Sequence, residues 1–271
     1  MTLDVDPDLL RRGHIRATLD DTPAGAATRA TVTLSRPEQR NAQTPTMWAA
    51  LAAVGAALPD TVRVVVLEGE GAAFSAGLDR GMLSPGGAEG EQSVVDLLQH
   101  SDQHVIDTIG VYQEGFTWLR DPRFVSIAAV RGYAIGAGFQ LALSCDLRVV
   151  ADDVRFSMKE PALGLVPDLT GTKPLVELVG YARALEICAS ARFVEAEEAV
   201  AIGLVHRAVP AERLDEAVTE LASALTATVP GAVRDTKALL QGAAGRTLAE
   251  QSLAERTAQV NRMRELMSLL G

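Results

Sequence analysis

The pattern of apolar and polar positions predicts strands near the start of the chain. Residues His14 to Leu19 and Arg29 to Leu34 alternate in the manner of paired strands. The segment between them, Asp20 to Ala27, is rich in turn-forming residues. The sequence therefore predicts a hairpin.

A helix, a buried strand and a glycine-bearing loop are predicted next. Thr44 can cap a helix that has Pro45 at its first position and continues through an Ala/Leu-rich run to Leu58. Residues Val62 to Leu67 are mostly β-branched, which is typical of a buried strand. That strand leads into the loop GEGAAFSAGLD.

The middle of the chain repeats this order. The polar segment Ser84 to Gln92 precedes a helical pattern predicted from Val94 to Leu119. Val125 to Val130 is an apolar strand, and Phe139 to Ser144 is an apolar helix. Between them lie Gly132, Gly136 and Gly138. We expect a strand that turns into a helix whose first turn carries almost no side chain.

The later part of the chain becomes helical. Short strands are predicted over Leu147 to Val150, Arg155 to Ser157 and Leu204 to Val209, with helices between the last two. From Ala211 onward the pattern is helical, with breaks at Pro230 and around residues 242–245. The sequence therefore predicts a core over residues 1–210 and a helical oligomerisation region over residues 211–271.

Composition narrows the class of protein. The length of 271 residues suits one sizeable core with an accessory subdomain. A net charge of −10 argues against nucleic-acid binding. No apolar run reaches the roughly 18 to 20 residues that span a bilayer, and the acidic start MTLDVDPDLL does not have the pattern of a signal peptide. We therefore expect a cytoplasmic protein with no membrane partner.

Several familiar motifs are absent from the sequence. Gly69 and Gly71 follow a strand, but the spacing of a dinucleotide fingerprint and a P-loop Lys-Ser/Thr are missing. His100 and His104 have helical spacing without a third ligand nearby, so no metal site is predicted. No Gly-x-Ser-x-Gly elbow occurs, and the two cysteines suggest no disulfide framework.

Two glycine loops and two acids indicate enolate chemistry. Residues 74–79 and 136–138 each follow a buried strand, and each can offer a free backbone N–H, although each alone is more typical of an ordinary turn. Glu160 and Asp168 follow in a segment with proline and glycine, where an ion pair or a turn cap is the simpler interpretation. Together, an oxyanion pocket and nearby acids favour proton transfer next to a carbonyl.

Four segments carry a resemblance to a known family: LSRPEQRNAQTPTM, VVVLEGEGAAFSAGLD, AAVRGYAIGAGFQLALSCDLRVVADDVRFSMKE and ARFVEAEEAVAIGLVHRAVP. In order and spacing they resemble the enoyl-CoA hydratase/isomerase (crotonase) superfamily, and the resemblance covers about Thr31 to Met263. It implies an α/β fold, a crotonase-like spiral of ββα units with a carboxy-terminal helical region that builds trimers, often paired into hexamers. It also implies an acyl-CoA thioester substrate, with no separate cofactor.

The resemblance assigns roles to particular residues. By motif position, the backbone N–H groups of Leu78 and Ala137 form the oxyanion hole, where Ala137 replaces a usual glycine and narrows the site by a methyl group. The implied contacts of the CoA moiety are Arg40, Ala42, Ala76, Asp79 and Gly138.

The acids decide which reaction the resemblance implies. Related hydratases use two glutamates twenty residues apart, and those positions are Gln140 and Glu160 here. Asp168 matches the second acid of the dienoyl-CoA isomerase branch, which Tyr112 to Pro122 also resembles.

A neutral amide such as that of Gln140 cannot take a proton from water. We therefore expect Glu160, Asp168 and Gln140 to be catalytic in double-bond isomerisation of an enoyl- or dienoyl-CoA. The alternatives are a hydratase in which Asp168 activates water and a non-catalytic acyl-CoA-binding protein.

Overall fold

The computed structural model describes residues 3–20, 27–88 and 90–270 and contains strands and helices intermixed along the chain. The described strands are β1 Ile15–Leu19, β2 Arg29–Leu34, β3 Val64–Gly69, β4 Val125–Val130, β5 Tyr133–Ile135, β6 Leu147–Ala151, β7 Arg155–Ser157, β8 Val194–Glu195 and β9 Arg207–Val209. The α-helices are α1 Pro7–Arg12, α2 Pro45–Ala57, α3 Val94–Leu97, α4 Asp102–Thr117, α5 Ala137–Ser144, α6 Thr172–Val179, α7 Tyr181–Ser190, α8 Ala196–Ala201, α9 Leu214–Thr226, α10 Pro230–Ala243 and α11 Leu248–Leu270.

Six strands build the main sheet in the spatial order β1-β2-β3-β4-β6-β9. Strands β1 and β2 pair antiparallel, with Ile15 opposite Leu34, so the two predicted hairpin strands are confirmed. Most of the predicted turn between them, residues 21–26, lies outside the described residues. The other neighbouring strands of this sheet are parallel. Strands β5, β7 and β8 form a second, smaller sheet.

Both faces of the central strands are buried, which explains why β3 and β4 are apolar runs without alternation. On one face, Val65 and Leu67 belong to the larger core, which α2 and α5 also enter. On the other face, Val64 and Val66 cluster with Leu214 and other buried residues of α9. Helix α9 therefore closes the main sheet although it follows the predicted boundary at residue 210. That division of the chain stays a prediction.

The single long helix predicted from Val94 to Leu119 is wrong, because two helices, α3 and α4, occupy that segment. Each helix starts at its own serine cap. Ser93 accepts the N–H of Asp96, and Ser101 accepts the N–H of His104. A capping residue has an extended backbone, so the cap at Ser101 interrupts the helical path.

The last two helices pack against each other and leave apolar side chains in contact with solvent. Leu240, Leu248 and Leu253 are 70%, 85% and 58% exposed. An isolated chain rarely leaves this many large apolar groups uncovered on adjacent helices. Among the described residues, no helix has the length and hydropathy that crossing a membrane requires.

One buried lysine attaches α10 to the core. The side-chain Nζ of Lys237 donates to the carbonyl oxygens of Asp121 and Phe124 and to Oδ2 of Asp146, each at 2.7 Å. Burial lowers the pKa of Lys237, while the charge of Asp146 opposes that effect. The same Asp146 oxygen accepts from the N–H and the hydroxyl of Ser126 in β4. The ammonium group of Lys237 therefore links α10 to β4 through the carboxylate of Asp146.

Replacing this lysine is expected to destabilise the protein strongly. Lys237→Met removes three hydrogen bonds and leaves the partly buried Asp146 without its counter-ion, at a cost of about 3 kcal/mol in the free energy of unfolding. Urea denaturation measures this loss. The control Lys173→Met removes a lysine whose side chain is 81% exposed, so its effect should stay below about 0.5 kcal/mol. A Lys237→Met protein as stable as this control would contradict the expectation.

Candidate active site

The two predicted glycine loops lie side by side. Ser75 and Ala134 form a parallel bridge, in which the N–H of Ile135 donates to the carbonyl of Ser75 at 3.0 Å. Gly77 has φ of +87°, and a Cβ atom on it would lie 2.5 Å from the carbonyl oxygen of Ile135. A Cβ on Gly138 would likewise lie 2.6 Å from the carbonyl oxygen of Ser75. The loops approach this closely because both positions are glycine.

This approach brings together two backbone N–H groups with no partner. The position of a Cβ on Gly77 is only 3.5 Å from the backbone nitrogen of Ala137. Within the described residues, neither the N–H of Ala137 nor that of Leu78 has an acceptor. Ala137 is the first residue of α5, where the N–H groups are free and the helix dipole is positive. Two free donors beside a helix start can hold a negatively charged oxygen.

Glu160 lies directly against the second glycine loop. A Cβ on Gly136 would be 3.2 Å from Oε1 and 3.5 Å from Oε2 of the Glu160 carboxyl. Oε1 accepts a hydrogen bond from Gln140, whereas Oε2 is buried and has no partner within the described residues. Burial raises the pKa of Glu160, and the negative charge of Asp168 raises it further. The site thus contains a carboxyl group with a free oxygen and a strengthened affinity for a proton.

Gln140 uses both ends of its amide within the protein. It is fully buried on α5, and its Nε2 donates to Oε1 of Glu160 at 2.7 Å. Its Oε1 accepts the N–H of Leu169 at 2.9 Å and the N–H of Gly171 at 3.2 Å. A Cβ on Gly171 would lie 2.6 Å from the Gln140 side chain, so the contact depends on glycine. These donors and acceptors fix the orientation of the amide.

The segment that carries Asp168 is therefore held from two sides. Gln140 binds the peptide that follows Asp168, and Gln113 of α4 donates to the carbonyl of Asp168 at 2.6 Å. Asp168 as a whole residue is exposed to solvent. Nearby protein atoms still remove part of the water around its carboxyl, and this partial burial raises the pKa of Asp168. Gln140 thus links the Glu160 carboxyl to the peptide that follows Asp168, and the negative charge of Asp168 raises the pKa of Glu160.

The residues predicted to contact CoA also lie near the first loop. Arg40 is exposed and has a left-handed backbone, with φ of +50°, and its carbonyl accepts the N–H of Ala76 at 2.8 Å. Asp79 is instead engaged by Arg36, whose guanidinium lies 2.5 Å from its carboxylate. Burial favours the neutral form of Asp79, yet the hydrogen bonds from Arg36 and Gly81 hold its pKa below the ordinary value.

Arg36 also donates to the carbonyl of Ala42, at 3.4 Å, so one guanidinium joins two of the predicted CoA contacts. Sequence reasoning did not find Arg36, Gln43 or Gln113 as residues that support this site. Arg36 and Gln43 do stand in the segment SRPEQRNAQ, whose arginines and amides were the available signal. Gln113 had no local signal.

The histidine pair that has helical spacing, His100 and His104, is not part of either glycine loop. His100 precedes α4 and His104 is in its first turn, with ring centroids 4.4 Å apart. Within residues 3–20, 27–88 and 90–270, no group of three or more His, Cys, Asp or Glu side chains is arranged to hold a metal ion.

Comparison with known proteins identifies the family. The sequence profile of the Enoyl-CoA hydratase/isomerase family matches residues 25–267. The chain belongs to this family. A Thermus thermophilus protein provisionally named an enoyl-CoA hydratase is 35% identical over 78% of this chain and 79% of its own length. The peroxisomal Delta(3,5)-Delta(2,4)-dienoyl-CoA isomerase of Arabidopsis thaliana is 35% identical over 67% of this chain and 65% of its own length.

Solved structures agree with the fold. A Thermobifida fusca protein, provisionally named an enoyl-CoA hydratase, is 48% identical with a TM-score of 0.92 and covers 99% of this chain and 100% of its own. Its complex with acetoacetyl-CoA gives 49% identity, a TM-score of 0.90 and coverage of 96% and 98%. The predicted crotonase-like α/β fold is confirmed.

The effect of the Asp168 charge on Glu160 predicts a pH dependence. Because the folded pKa of Glu160 is raised, its carboxylate is expected to be lost as the pH falls through a value above the ordinary glutamate pKa of about 4.3. Asp168→Asn removes a negative charge and should lower that pKa. Carbon-13 NMR titration of the Glu160 carboxyl measures the change. An unchanged or higher pKa in Asp168→Asn would contradict the arrangement.

Proposed function

We propose that the protein isomerises the double bond of an enoyl- or dienoyl-CoA thioester. The carboxylate of Glu160 takes a proton from the α carbon, and the electron pair moves onto the thioester oxygen. The N–H groups of Leu78 and Ala137 stabilise that enolate oxygen. A proton is then delivered to a carbon further along the chain, and the double bond moves into conjugation with the thioester. The pair from the broken C–H bond ends in the new double bond between the α and β carbons, and the pair of the double bond that is lost forms the new C–H bond.

The two acids have different positions relative to the oxyanion donors, which supports a division of roles. Glu160 lies against Gly136, next to the donor at Ala137, so we assign it to the α carbon. Asp168 lies beyond Gln140 at the exposed side, so we assign it to the distal carbon. Two neighbouring carboxyls favour a state in which one is protonated and the other is ionised. That state suits a reaction that removes one proton and delivers another.

The CoA moiety is proposed to lie along the loop that contains Arg40, Ala42, Ala76 and Asp79, with Gly138 allowing close approach. The Thermobifida relative was crystallised with CoA and with acetoacetyl-CoA, which supports an acyl-CoA ligand for this chain. Arg40 is exposed and can offer positive charge to a phosphate. Asp79 contributes through its backbone and its ion pair with Arg36 rather than through a free carboxylate.

The observation that carries this proposal is the full engagement of Gln140. Its N–H group is bound to Glu160, and its oxygen is bound to two peptide N–H groups. It can therefore position both acids, but it cannot take a proton from water. The test is incubation with a 3-enoyl-CoA and a 3,5-dienoyl-CoA, followed by ultraviolet absorbance of the conjugated thioester. Absence of conjugated product from both substrates would contradict the proposal.

Hydration is the second candidate, because several relatives carry the name enoyl-CoA hydratase. In that case Asp168 would activate the water and Glu160 would exchange the α proton. Loss of the conjugated absorbance of crotonyl-CoA, faster than any double-bond shift, would favour hydration. The non-catalytic alternative is disfavoured, since one buried oxygen of Glu160, beside the oxyanion donors, has no partner in the described part of the chain.

We also propose that the protein assembles as a trimer or a dimer of trimers. The exposed leucines of α10 and α11 supply an apolar surface that a second copy can cover. Light scattering at micromolar concentration is expected to give three or six times the chain mass of 28.6 kDa. A stable folded monomer in ordinary salt would contradict this expectation.

A further inference from the structure

Gln43 lies beside the loop that carries the oxyanion donor Leu78. Its backbone N–H donates to the carbonyl of Gly77 at 2.7 Å, and its carbonyl accepts the N–H of Asp79 at 2.9 Å. These two bonds hold the residues on either side of Leu78. The N–H of Leu78 takes no part in this pairing and has no acceptor within the described residues.

The side chain of Gln43 extends the same arrangement into the core. Gln43 is fully buried; its Nε2 donates to the hydroxyl of Ser75 at 3.0 Å, and its Oε1 accepts from Nε1 of Trp48 at 2.8 Å. The Ser75 hydroxyl in turn accepts the N–H of Gly77 at 3.2 Å and donates to the carbonyl of Asn41 at 2.8 Å. Backbone and side chain of Gln43 therefore converge on one short loop.

A buried polar side chain is costly unless its hydrogen bonds are made, and an apolar residue of similar size would fill this space at lower cost. A network in which each side-chain nitrogen and oxygen has a partner instead favours one geometry. Here the favoured geometry is that of the loop from Ser75 to Asp79. We propose that Gln43 is a positioning residue that sets the place of the Leu78 N–H in the oxyanion hole. This inference rests on the proposed function.

The network predicts a catalytic effect separable from substrate binding. Gln43→Met keeps a long apolar side chain but removes the bonds to Ser75 and Trp48, which lets the loop move. Displacement of an oxyanion donor acts mainly in the transition state, so kcat should fall about 10- to 100-fold while KM changes less than about threefold. Trp48→Phe removes one of the two hydrogen bonds of the Gln43 amide, together with part of a buried ring, and should give a smaller fall in kcat.

A spectroscopic probe reports on the oxyanion hole directly. Bound acetoacetyl-CoA ionises to an enolate that absorbs in the ultraviolet, and the free N–H groups should stabilise it. We expect the apparent pKa of bound acetoacetyl-CoA to be higher in Gln43→Met and Trp48→Phe than in the wild type. The dissociation constant of free CoA should stay within about threefold, because neither substitution changes Arg40 or the other proposed CoA contacts. Thr44→Ala is the matched control: Thr44 caps α2 next to Gln43, and its loss should lower the melting temperature without moving the enolate pKa.

The possible outcomes distinguish a failure of the positioning role of Gln43 from a failure of the proposed isomerase function. If the wild type shifts neither the enolate pKa nor any double bond, the proposed function fails. If the wild type does both, and the folded Gln43→Met and Trp48→Phe proteins match it in kcat and enolate pKa, the positioning role is overturned. Should Gln43→Met not fold, Trp48→Phe alone decides between these results.

Discussion

Glu160→Gln is expected to lower kcat for double-bond isomerisation by about 10³-fold, within the range for loss of a general base. The amide cannot accept the α proton, yet it keeps the size of the side chain that lies against Gly136. Free CoA should bind with an unchanged dissociation constant, because the carboxyl acts on the acyl part. Steady-state assays with a 3-enoyl-CoA and calorimetric titration with CoA measure the two effects.

A matched exchange on the surface controls for general damage. Glu197→Gln changes an exposed glutamate at the start of α8, away from both loops in the chain, and should leave kcat within about twofold of the wild type. Near-wild-type isomerisation by Glu160→Gln would show that this carboxyl is not the base.

The second large effect is expected at Gln140. Gln140→Glu places a carboxylate where the amide now donates to Oε1 of Glu160 at 2.7 Å. Repulsion between the two carboxyls and the lost hydrogen bond should reduce the free energy of unfolding at neutral pH by about 3 kcal/mol. The folded-state pKa of the introduced carboxyl is raised above its unfolded value. The electrostatic loss of unfolding free energy is therefore absent at low pH. It appears as the pH rises through the pKa that the introduced carboxyl has in the unfolded chain.

Gln140→Met separates charge from hydrogen bonding. It removes the same contacts to Glu160 and Leu169 without adding a carboxyl, so its loss of stability should not have this pH dependence. Urea denaturation of both variants between pH 5 and 8 measures the difference. Equal losses at every pH would contradict direct contact between position 140 and the Glu160 carboxyl.

The parts of the fold that local chemistry determines could be predicted from the sequence. Strands β3 and β4 are buried on both faces, so their uniform apolar runs identify them without any alternation. Helix α2 begins where Thr44 and Pro45 indicate, with the Thr44 hydroxyl accepting the N–H of Met47. The glycine loops were recognised because close backbone approach needs glycine.

The parts that depend on distant residues could not be predicted in this way. Serine is a common helix cap, but Ser101 lies inside a continuous helical pattern, so the sequence predicts one helix where α3 and α4 are separate. The role of α9 in closing the sheet depends on residues about 150 positions earlier in the chain. Likewise, the partners of Gln140 at Leu169 and Gly171 lie 29 and 31 residues away, where spacing gives no information about contact.

The most direct test of the proposed chemistry follows the double bond and water in one experiment. The protein is incubated with a 3-enoyl-CoA and, separately, with crotonyl-CoA in water enriched in oxygen-18, and products are analysed by NMR and mass spectrometry. Proton transfer between carbons predicts conjugated 2-enoyl-CoA from the first substrate, with little or no heavy oxygen in any product of either. Rapid formation of labelled 3-hydroxyacyl-CoA from crotonyl-CoA, with no shift of the double bond in the 3-enoyl-CoA, would contradict it.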